Sequence, residues 1–233
     1  MNLNLLCAGA ARGVVLALKD ALAAETGAGI DGTFGAVGAM RERLLGGAPC
    51  DVIVLTAALI DGLARDGHVL PATVAPLGRV GTGIAVRAGE PLPGIADGDA
   101  LRATLLAATG IVFPDPVHAT AGIHFANVLE RLGIHDAVAA RITNYPNGAT
   151  SMRALAEGPP GRVGCTQITE IKYTPGVTLV GPLPEGYALD TVYSVAVCTA
   201  AAQPDMARVF AAMLAGPVSR ALRDAGGFEP MAP

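Results

Sequence analysis

Backbone amides at two small-residue turns are the first groups in this sequence that could do chemistry. The turn Gly35-Ala36-Val37-Gly38 follows a strand and precedes a helix, and the earlier turn Ala8-Gly9-Ala10-Ala11 does the same. Turns with so little side-chain bulk let a ligand reach the first free N–H groups of the helix, where the helix dipole favours negative charge. The chemistry indicated is the binding of a small anion, and a plain strand-turn-helix corner is the alternative.

Arg12 stands at the start of the helix that follows the first turn. The helix dipole disfavours a cation at this position, so Arg12 is expected to face a negative group; a solvated arginine is the alternative. Because the carboxyl ends of parallel strands meet at one edge of a sheet, the two turns together predict a shared pocket.

Three polar corners follow in the second half of the chain, at residues 115–122, 144–150 and 164–170. Thr120 is predicted to cap the helix after the first of these corners, and Asn147 or Thr150 the helix after the second. The polar corners of this half are expected to face the small-residue corners of the first half across a cleft.

Alternating strands and helices must position these corners. Strands are predicted at residues 2–7, 51–55, 81–86, 110–113, 162–165, 177–180 and 191–198. Helices are predicted at residues 12–24, from Val37 onward, and at 56–65, 99–108, 121–132, 150–156 and 203–225, the last with a break near Gly216-Pro217. Residues 137–142 form a junction without an assignment. The alternation predicts an α/β fold with largely parallel sheets.

Composition restricts the class of protein. The 233 residues are 52% hydrophobic with no Trp, and the formal net charge is −4. Such a chain can bury a core, while the acidic balance and the absence of Lys/Arg runs argue against a nucleic-acid partner. The four scattered cysteines lack metal-binding spacing and are predicted to be buried free thiols in a reducing compartment.

Location and cofactors are predicted from patterns that are missing. No basic and apolar leader with a cleavage site precedes the first strand, which predicts a cytoplasmic protein, or a periplasmic one whose leader was removed. No stretch reaches the roughly 18 apolar residues that span a bilayer. Phosphate-binding loops, a nucleophile elbow and clustered metal ligands are also missing from the sequence, so no cofactor and no metal are predicted.

Two motifs carry a family resemblance: Gly-Ala-Pro-x-Asp at residues 47–51 and Asp-Pro-x-His-x-x-Ala-Gly at residues 115–122. With residues 7–11 and 226–228, they make nearly the whole chain resemble the molybdate-binding components of bacterial ABC importers. That resemblance implies a two-lobed periplasmic-binding-protein-like α/β fold, each lobe a mostly parallel sheet flanked by helices. The implied lobes are residues 1–82 with 192–233, and residues 83–191. It also implies a small anionic ligand between the lobes, with an ABC permease as partner only in an importer.

Departures from the family pattern change the expected ligand. The family holds a tetrahedral oxyanion with serine hydroxyls at the first two corners, where this sequence has Ala10 and then Val37 or Gly38. The tyrosine expected at a third corner is replaced by Cys165 or Thr166. The remaining groups suit an organic di- or tricarboxylate better than molybdate. The predicted ligand-binding residues are Ala10, Ala11, Arg12, Ala36, Val37, Gly38, Thr56, Thr120, Ala121, Asn147, Thr150, Thr166 and Gln167.

One branch of the family resembles aconitate isomerase, which moves a proton and a double bond on a tricarboxylate without a cofactor. Such chemistry needs a base near the acidic carbon and groups that stabilise the developing charge. The resemblance leaves His118, Tyr145 and Glu170 as catalytic candidates. His118 also belongs to the motif of the binding-only relatives, in which it is structural or orients the ligand. Two functions therefore stay open: an isomerase or tautomerase, and the solute-binding protein of an importer.

Overall fold

The computed structural model describes residues 2–231 and divides the chain into two compact units. Unit 1 runs to Val80 and resumes at Thr191, and unit 2 comprises Gly81–Asp190. The chain therefore leaves unit 1, builds unit 2 from one continuous segment and then returns to finish unit 1.

The elements alternate along the chain as the sequence predicts. The strands are β1 (Asn2–Ala8), β2 (Gly29–Gly35), β3 (Val52–Thr56), β4 (Ala75–Arg87), β5 (Gly110–Pro114), β6 (Ile142–Tyr145), β7 (Arg162–Gln167), β8 (Val177–Pro182) and β9 (Asp190–Val197). The α-helices are α1 (Arg12–Ala17), α2 (Lys19–Thr26), α3 (Val37–Leu45), α4 (Ala57–Arg65), α5 (Gly98–Ala107), α6 (Thr120–Arg131), α7 (His135–Val138), α8 (Gly148–Glu157), α9 (Ile168–Tyr173), α10 (Pro204–Ala215) and α11 (Arg220–Gly226).

In unit 1, β1 lies between β2 and β3 and is parallel to both, while β9 pairs antiparallel with β3. The central strands read as nearly continuous apolar runs because helices cover both of their faces. Val15, Leu18 and Leu22 are buried, as their helical spacing predicts. The predicted helix at residues 12–24 is nevertheless two helices, because the backbone leaves the helical path at Leu18 (ψ −5°).

In unit 2, β5 lies between β6 and β7 and is parallel to both, while β4 pairs antiparallel with β7 and with β8. One face of this sheet packs against α5 and α6 through residues such as Leu105 and Phe125. The other face packs against α8 and α9 through Met152, Leu155 and Ile171. The sheet of unit 2 is therefore covered on both faces, by α5 and α6 on one side and by α8 and α9 on the other.

Asp51, from the motif Gly-Ala-Pro-x-Asp, is a structural residue. Its carboxylate is buried and accepts hydrogen bonds from the Asn4 N–H at 2.8 Å and the Gln203 N–H at 2.9 Å. Three segments that are far apart in the sequence are thereby joined, and the free N–H at the start of α10 is satisfied. Asp51 lies just before β3, so it is at the opposite end of that strand from the predicted pocket.

Several sequence predictions are confirmed and others need correction. All four cysteines are buried and free, and the last helical region breaks at Gly216-Pro217. The unassigned junction at residues 137–142 contains the end of α7, a 3-10 turn at Ala139–Arg141 and the first residue of β6. Strand β4 is longer than the predicted strand at residues 81–86. Within residues 2–231 no helix combines the length and the apolar character that a membrane span requires.

Candidate functional site

The carboxyl ends of three parallel strands meet at one edge of the unit 1 sheet. Ala8 at the end of β1 pairs with Gly35 at the end of β2, and Cys7 pairs with Val54 in β3. The chain therefore turns into α1, α3 and α4 at the same edge, as the two small-residue turns predict. The predicted unit 1 residues all lie along this edge: Ala10, Ala11, Arg12, Ala36, Val37, Gly38 and Thr56.

The helices that begin at this edge have no side-chain caps. Ala36 precedes α3 and Thr56 precedes α4, and neither side chain accepts a hydrogen bond from the helix. The turn before α1 is a short 3-10 segment in which Ala10 and Ala11 are buried. The free N–H groups of a nine-residue helix such as α3 are therefore available to an acceptor from outside the helix.

Arg12 provides a positive charge at this edge. Its side chain is exposed, and its guanidinium carbon lies 5.7 Å from the centroid of the Phe34 ring. That distance is within the range of a cation–π contact, which orients the guanidinium over the end of β2. The planar N–H groups of arginine match a carboxylate in two-point hydrogen bonding.

The corner after β5 in unit 2 contains a carboxylate–histidine pair. Asp115 Oδ2 lies 3.1 Å from His118 Nδ1, and Asp115 Oδ1 accepts hydrogen bonds from the N–H groups of Val117 at 2.6 Å and His118 at 3.1 Å. Burial acts to raise the pKa of Asp115, but the hydrogen bonds from Val117 and His118 outweigh it and hold the pKa below its usual value.

Asp115 was not among the residues predicted for the site, although it opens the motif that contains His118. The sequence signal for Asp115 is its position three residues before His118 and directly before a proline. An Asp followed by Pro often forms a turn in which its carboxylate reaches the next backbone N–H groups. The pair orients the histidine ring, as carboxylates do for catalytic histidines.

The start of α6 lies two residues beyond His118 and is also uncapped. Ala119 occupies the cap position, so Thr120 is the first residue of the helix and the prediction that it caps α6 is wrong. The Thr120 hydroxyl has no hydrogen-bond partner among residues 2–231. Gly122 permits this corner, because a Cβ there would overlap the carbonyl oxygens of Pro114 and Asp115.

Gln167 presents an unpartnered amide at the same edge of unit 2. It is only 3% exposed, yet neither its nitrogen nor its oxygen has a hydrogen-bond partner in the described part of the chain. Val163 and Cys165 pack into the core shared with α6, so the alternation of β7 assigns Gln167 to the face that α6 covers. Burying an amide without hydrogen bonds costs free energy, so the Gln167 side chain is a candidate to bind a polar group of a ligand.

The corners after β6 and β7 bring the remaining predicted residues together. Asn147 caps α8 by accepting from the Thr150 N–H at 2.9 Å and from the Thr150 hydroxyl at 3.0 Å, as predicted. Thr166 is fully buried and donates to Glu170 Oε2 at 2.6 Å. Tyr145 ends β6, and its carbonyl accepts from the Asp115 N–H.

Metal-binding geometry is missing from this part of the molecule. Among residues 2–231, no three His, Cys, Asp or Glu side chains are grouped in a way that could hold a metal ion. The groups at the two sheet edges are backbone N–H groups, a guanidinium, an amide, hydroxyls and one carboxylate–histidine pair.

The sequence profile described as bacterial extracellular solute-binding protein matches residues 3–229. The chain belongs to this family. Members of the wider fold include the periplasmic molybdate-binding protein of Azotobacter vinelandii, whose structure matches with a TM-score of 0.80 and 22% identity over 99% of this chain and 100% of that one. The sulfate-binding protein of Mycobacterium tuberculosis matches with a TM-score of 0.74 and 20% identity over 100% of this chain and 88% of that one. The predicted fold class is therefore confirmed.

A relative with a named activity is also similar in sequence. Aconitate isomerase from a Pseudomonas species is 28% identical over 190 residues, which are 81% of this chain and 71% of that protein. The resemblance to both the molybdate-binding proteins and aconitate isomerase is thus confirmed at the level of similarity.

Proposed function

We propose that this protein binds a small organic polycarboxylate and moves a proton and a double bond within it, as an isomerase that needs no cofactor. The observation that carries this proposal is the Asp115–His118 pair next to the uncapped start of α6. A carboxylate bound by the first N–H groups of α6 presents its neighbouring carbon to a histidine only two residues away along the chain.

The chemistry follows from the hydrogen bonds of the pair. Because Asp115 engages Nδ1 of His118, Nε2 is the nitrogen that removes a proton from the carbon next to the bound carboxylate. The electron pair left behind spreads over the double bond and the carboxylate, and the N–H groups of α6 stabilise that charge. Returning the proton at the other end of the allylic system shifts the double bond without changing the net composition.

The polycarboxylate is supported by the chemistry of unit 1. Ala10 and then Val37 or Gly38 leave the first two corners of unit 1 without hydroxyls for a metal oxyanion. Arg12 and the uncapped starts of α3 and α4 offer donors to a carboxylate. The similarity to aconitate isomerase supports the same ligand class. The position of the ligand between lobes and the cytoplasmic location stay predictions from the sequence.

Proton NMR of cis- and trans-aconitate in deuterated water tests the proposal. We expect the protein to interconvert the two isomers and to exchange the methylene protons with solvent. His118→Gln should lower the rate by about 10²- to 10⁴-fold, as for loss of a general base. His135→Gln, which changes another half-buried histidine of unit 2, should leave it unchanged. If the unaltered protein shows no conversion of aconitate and no exchange of its methylene protons, the proposal is contradicted.

A second function, solute binding for an importer, is favoured by the family match over residues 3–229. In that case the protein binds its anion without changing it, and an ABC permease is its partner. Saturable binding of a carboxylate or of molybdate in a thermal-shift titration, together with an unchanged NMR spectrum, would support this function over the first.

A further inference from the structure

The start of α8 differs from the uncapped start of α6 because its N–H groups already have protein partners. The N–H groups of Gly148 and Ala149 donate to the carboxyl group of Glu170, which belongs to α9. The next N–H, that of Thr150, donates to the Asn147 side chain, and the Ser151 N–H donates to the Asn147 carbonyl. The N–H groups of residues 148–151 are thus all engaged by protein acceptors.

Glu170 is held in this place by donors on several sides. Thr166 donates its hydroxyl to Oε2 at 2.6 Å, and the Gln167 N–H donates to the same carboxyl group. A carboxylate that only accepts matches such a set, because all four groups around it are donors. Gly148 makes room for it, since a Cβ at that residue would overlap Oε2.

We propose that Glu170 is a built-in anion that fills the carboxylate position at the start of α8 and so sets the specificity of this corner. This inference rests on the proposed function, in which the ligand carries several carboxylates. An uncharged part of the ligand can lie beside α8, but a further carboxylate meets the negative end of Glu170. Unit 2 then binds ligand charge at the start of α6, whose N–H groups lack a side-chain cap.

The contacts of Glu170 assign it a positioning role in place of the acid–base role expected from the family resemblance. Only 7% of the residue is exposed, and its oxygens are engaged by Thr166 and the backbone of α8. Burial is the largest influence on its pKa and raises it, while these hydrogen bonds act in the opposite direction. Removing the carboxyl group should therefore leave an empty anion site inside the protein.

Chemical rescue by acetate tests the built-in anion. Glu170→Ala should lower the melting temperature by roughly 5 °C or more, because buried donors lose their acceptor. Acetate, compared with chloride at the same ionic strength, should restore a measurable part of that loss. The unaltered protein and Glu185→Ala, which truncates an exposed glutamate of unit 2, should show no acetate-specific shift. The absence of any acetate-specific shift in Glu170→Ala would overturn the proposal.

Glu170→Gln gives a second test that does not depend on how well the alanine variant folds. It keeps the volume but turns an NH₂ group toward backbone donors, so it should be destabilised and acetate should not rescue it. A Glu170→Gln variant as stable as the unaltered protein, with a lowered isomerase rate, would instead indicate a catalytic acid or base and would overturn the positioning role.

The specificity itself is measured with two non-reacting ligands. Calorimetry with tricarballylate and glutarate should show that Glu170→Ala shifts the ratio of affinities toward the tricarboxylate by roughly tenfold, in line with one added charge-assisted interaction. An unchanged ratio would overturn the specificity claim. The acetate shift is measured without substrate, so the two proposals can fail separately. Acetate rescue without aconitate conversion would contradict only the proposed function. Aconitate conversion without acetate rescue would contradict only the built-in anion.

Discussion

The guanidinium of Arg12 is the charged group that unit 1 holds next to its uncapped helix starts. If it binds a ligand carboxylate, Arg12→Ala should weaken that binding by about 1.5–3 kcal/mol, as for a hydrogen bond to a charged group. Calorimetry of a polycarboxylate with both proteins measures the change. Arg12→Lys should recover part of the loss, because the charge is kept but the planar pair of donors is not.

Arg43→Ala is the matched control for this measurement. Arg43 is an exposed arginine of the same unit, in the last turn of α3, at the end away from the small-residue turn. Its removal changes the net charge by the same amount and should leave the affinity within a few tenths of a kcal/mol. Equal effects of the two changes would mean that Arg12 acts only through net charge, and no effect of either would remove Arg12 from the site.

Asp115 should make the stability of the protein depend on acid pH. Its pKa is below the ordinary value of 3.8 in the folded protein. A carboxylate whose pKa is depressed by folding contributes stability above its unfolded pKa, and that contribution is lost as the pH falls through the lower folded value. The stability difference between the unaltered protein and Asp115→Asn should therefore be present at neutral pH and should shrink as the pH falls below 3.8.

Urea denaturation at neutral pH and at acid pH measures this difference. Asp136→Asn is the control, because Asp136 is a fully exposed aspartate of the same unit. This substitution removes one negative charge from unit 2 and corrects for the general effect of that loss. A difference for Asp115→Asn that grows on acidification would contradict the sign of the argument.

At the scale of elements, the contact between the end of β5 and the start of α6 depends on Gly122. Gly122→Ala would force a methyl group against two backbone carbonyls, which cannot rotate away as side chains do. We expect a loss at the upper end of the roughly 1–3 kcal/mol typical of overpacking, together with weaker carboxylate binding, because the first turn of α6 must move. Urea denaturation and calorimetry measure the two effects.

Gly62→Ala is the control for a glycine inside a helix. A Cβ at Gly62 of α4 would meet only the end of the flexible Arg65 side chain, at 4.0 Å. Replacing this glycine should be neutral or should stabilise the protein by up to about 1 kcal/mol, since alanine favours a helix. A Gly122→Ala variant that is equally tolerated would mean that the β5–α6 corner has room that the structure does not show.

Local patterns predicted the elements well and their connections less well. Turn residues and helical spacing identify Asn147 as a cap and Val15, Leu18 and Leu22 as core positions, because these depend on neighbours in the sequence. The hydrogen bond between Thr166 and Glu170 also joins residues that are close in the sequence. The other donors that explain its role belong to α8, about 20 residues earlier. No spacing rule links Glu170 to the backbone of Gly148.

At the scale of the whole molecule, segment order and two motifs were enough to predict the fold class. They succeed because a motif such as Gly-Ala-Pro-x-Asp contains Asp51, whose carboxylate joins segments 47 and 152 residues away in the sequence. The ligand is harder to predict, because a few side chains at the corners, such as Ala10 and Val37, decide the chemistry and can change without altering the fold.

The discontinuity of unit 1 has a consequence for the order in which the protein forms during synthesis. Unit 2 is one continuous segment, Gly81–Asp190, so every contact within it is available before α10 leaves the ribosome. Unit 1 must wait for β9 and α10, because β3 lacks its antiparallel neighbour and Asp51 lacks the Gln203 N–H until then. During synthesis, unit 2 can therefore fold while the sheet of unit 1 is still incomplete. Chaperone binding or misassembly should concentrate at the exposed apolar edge of β3.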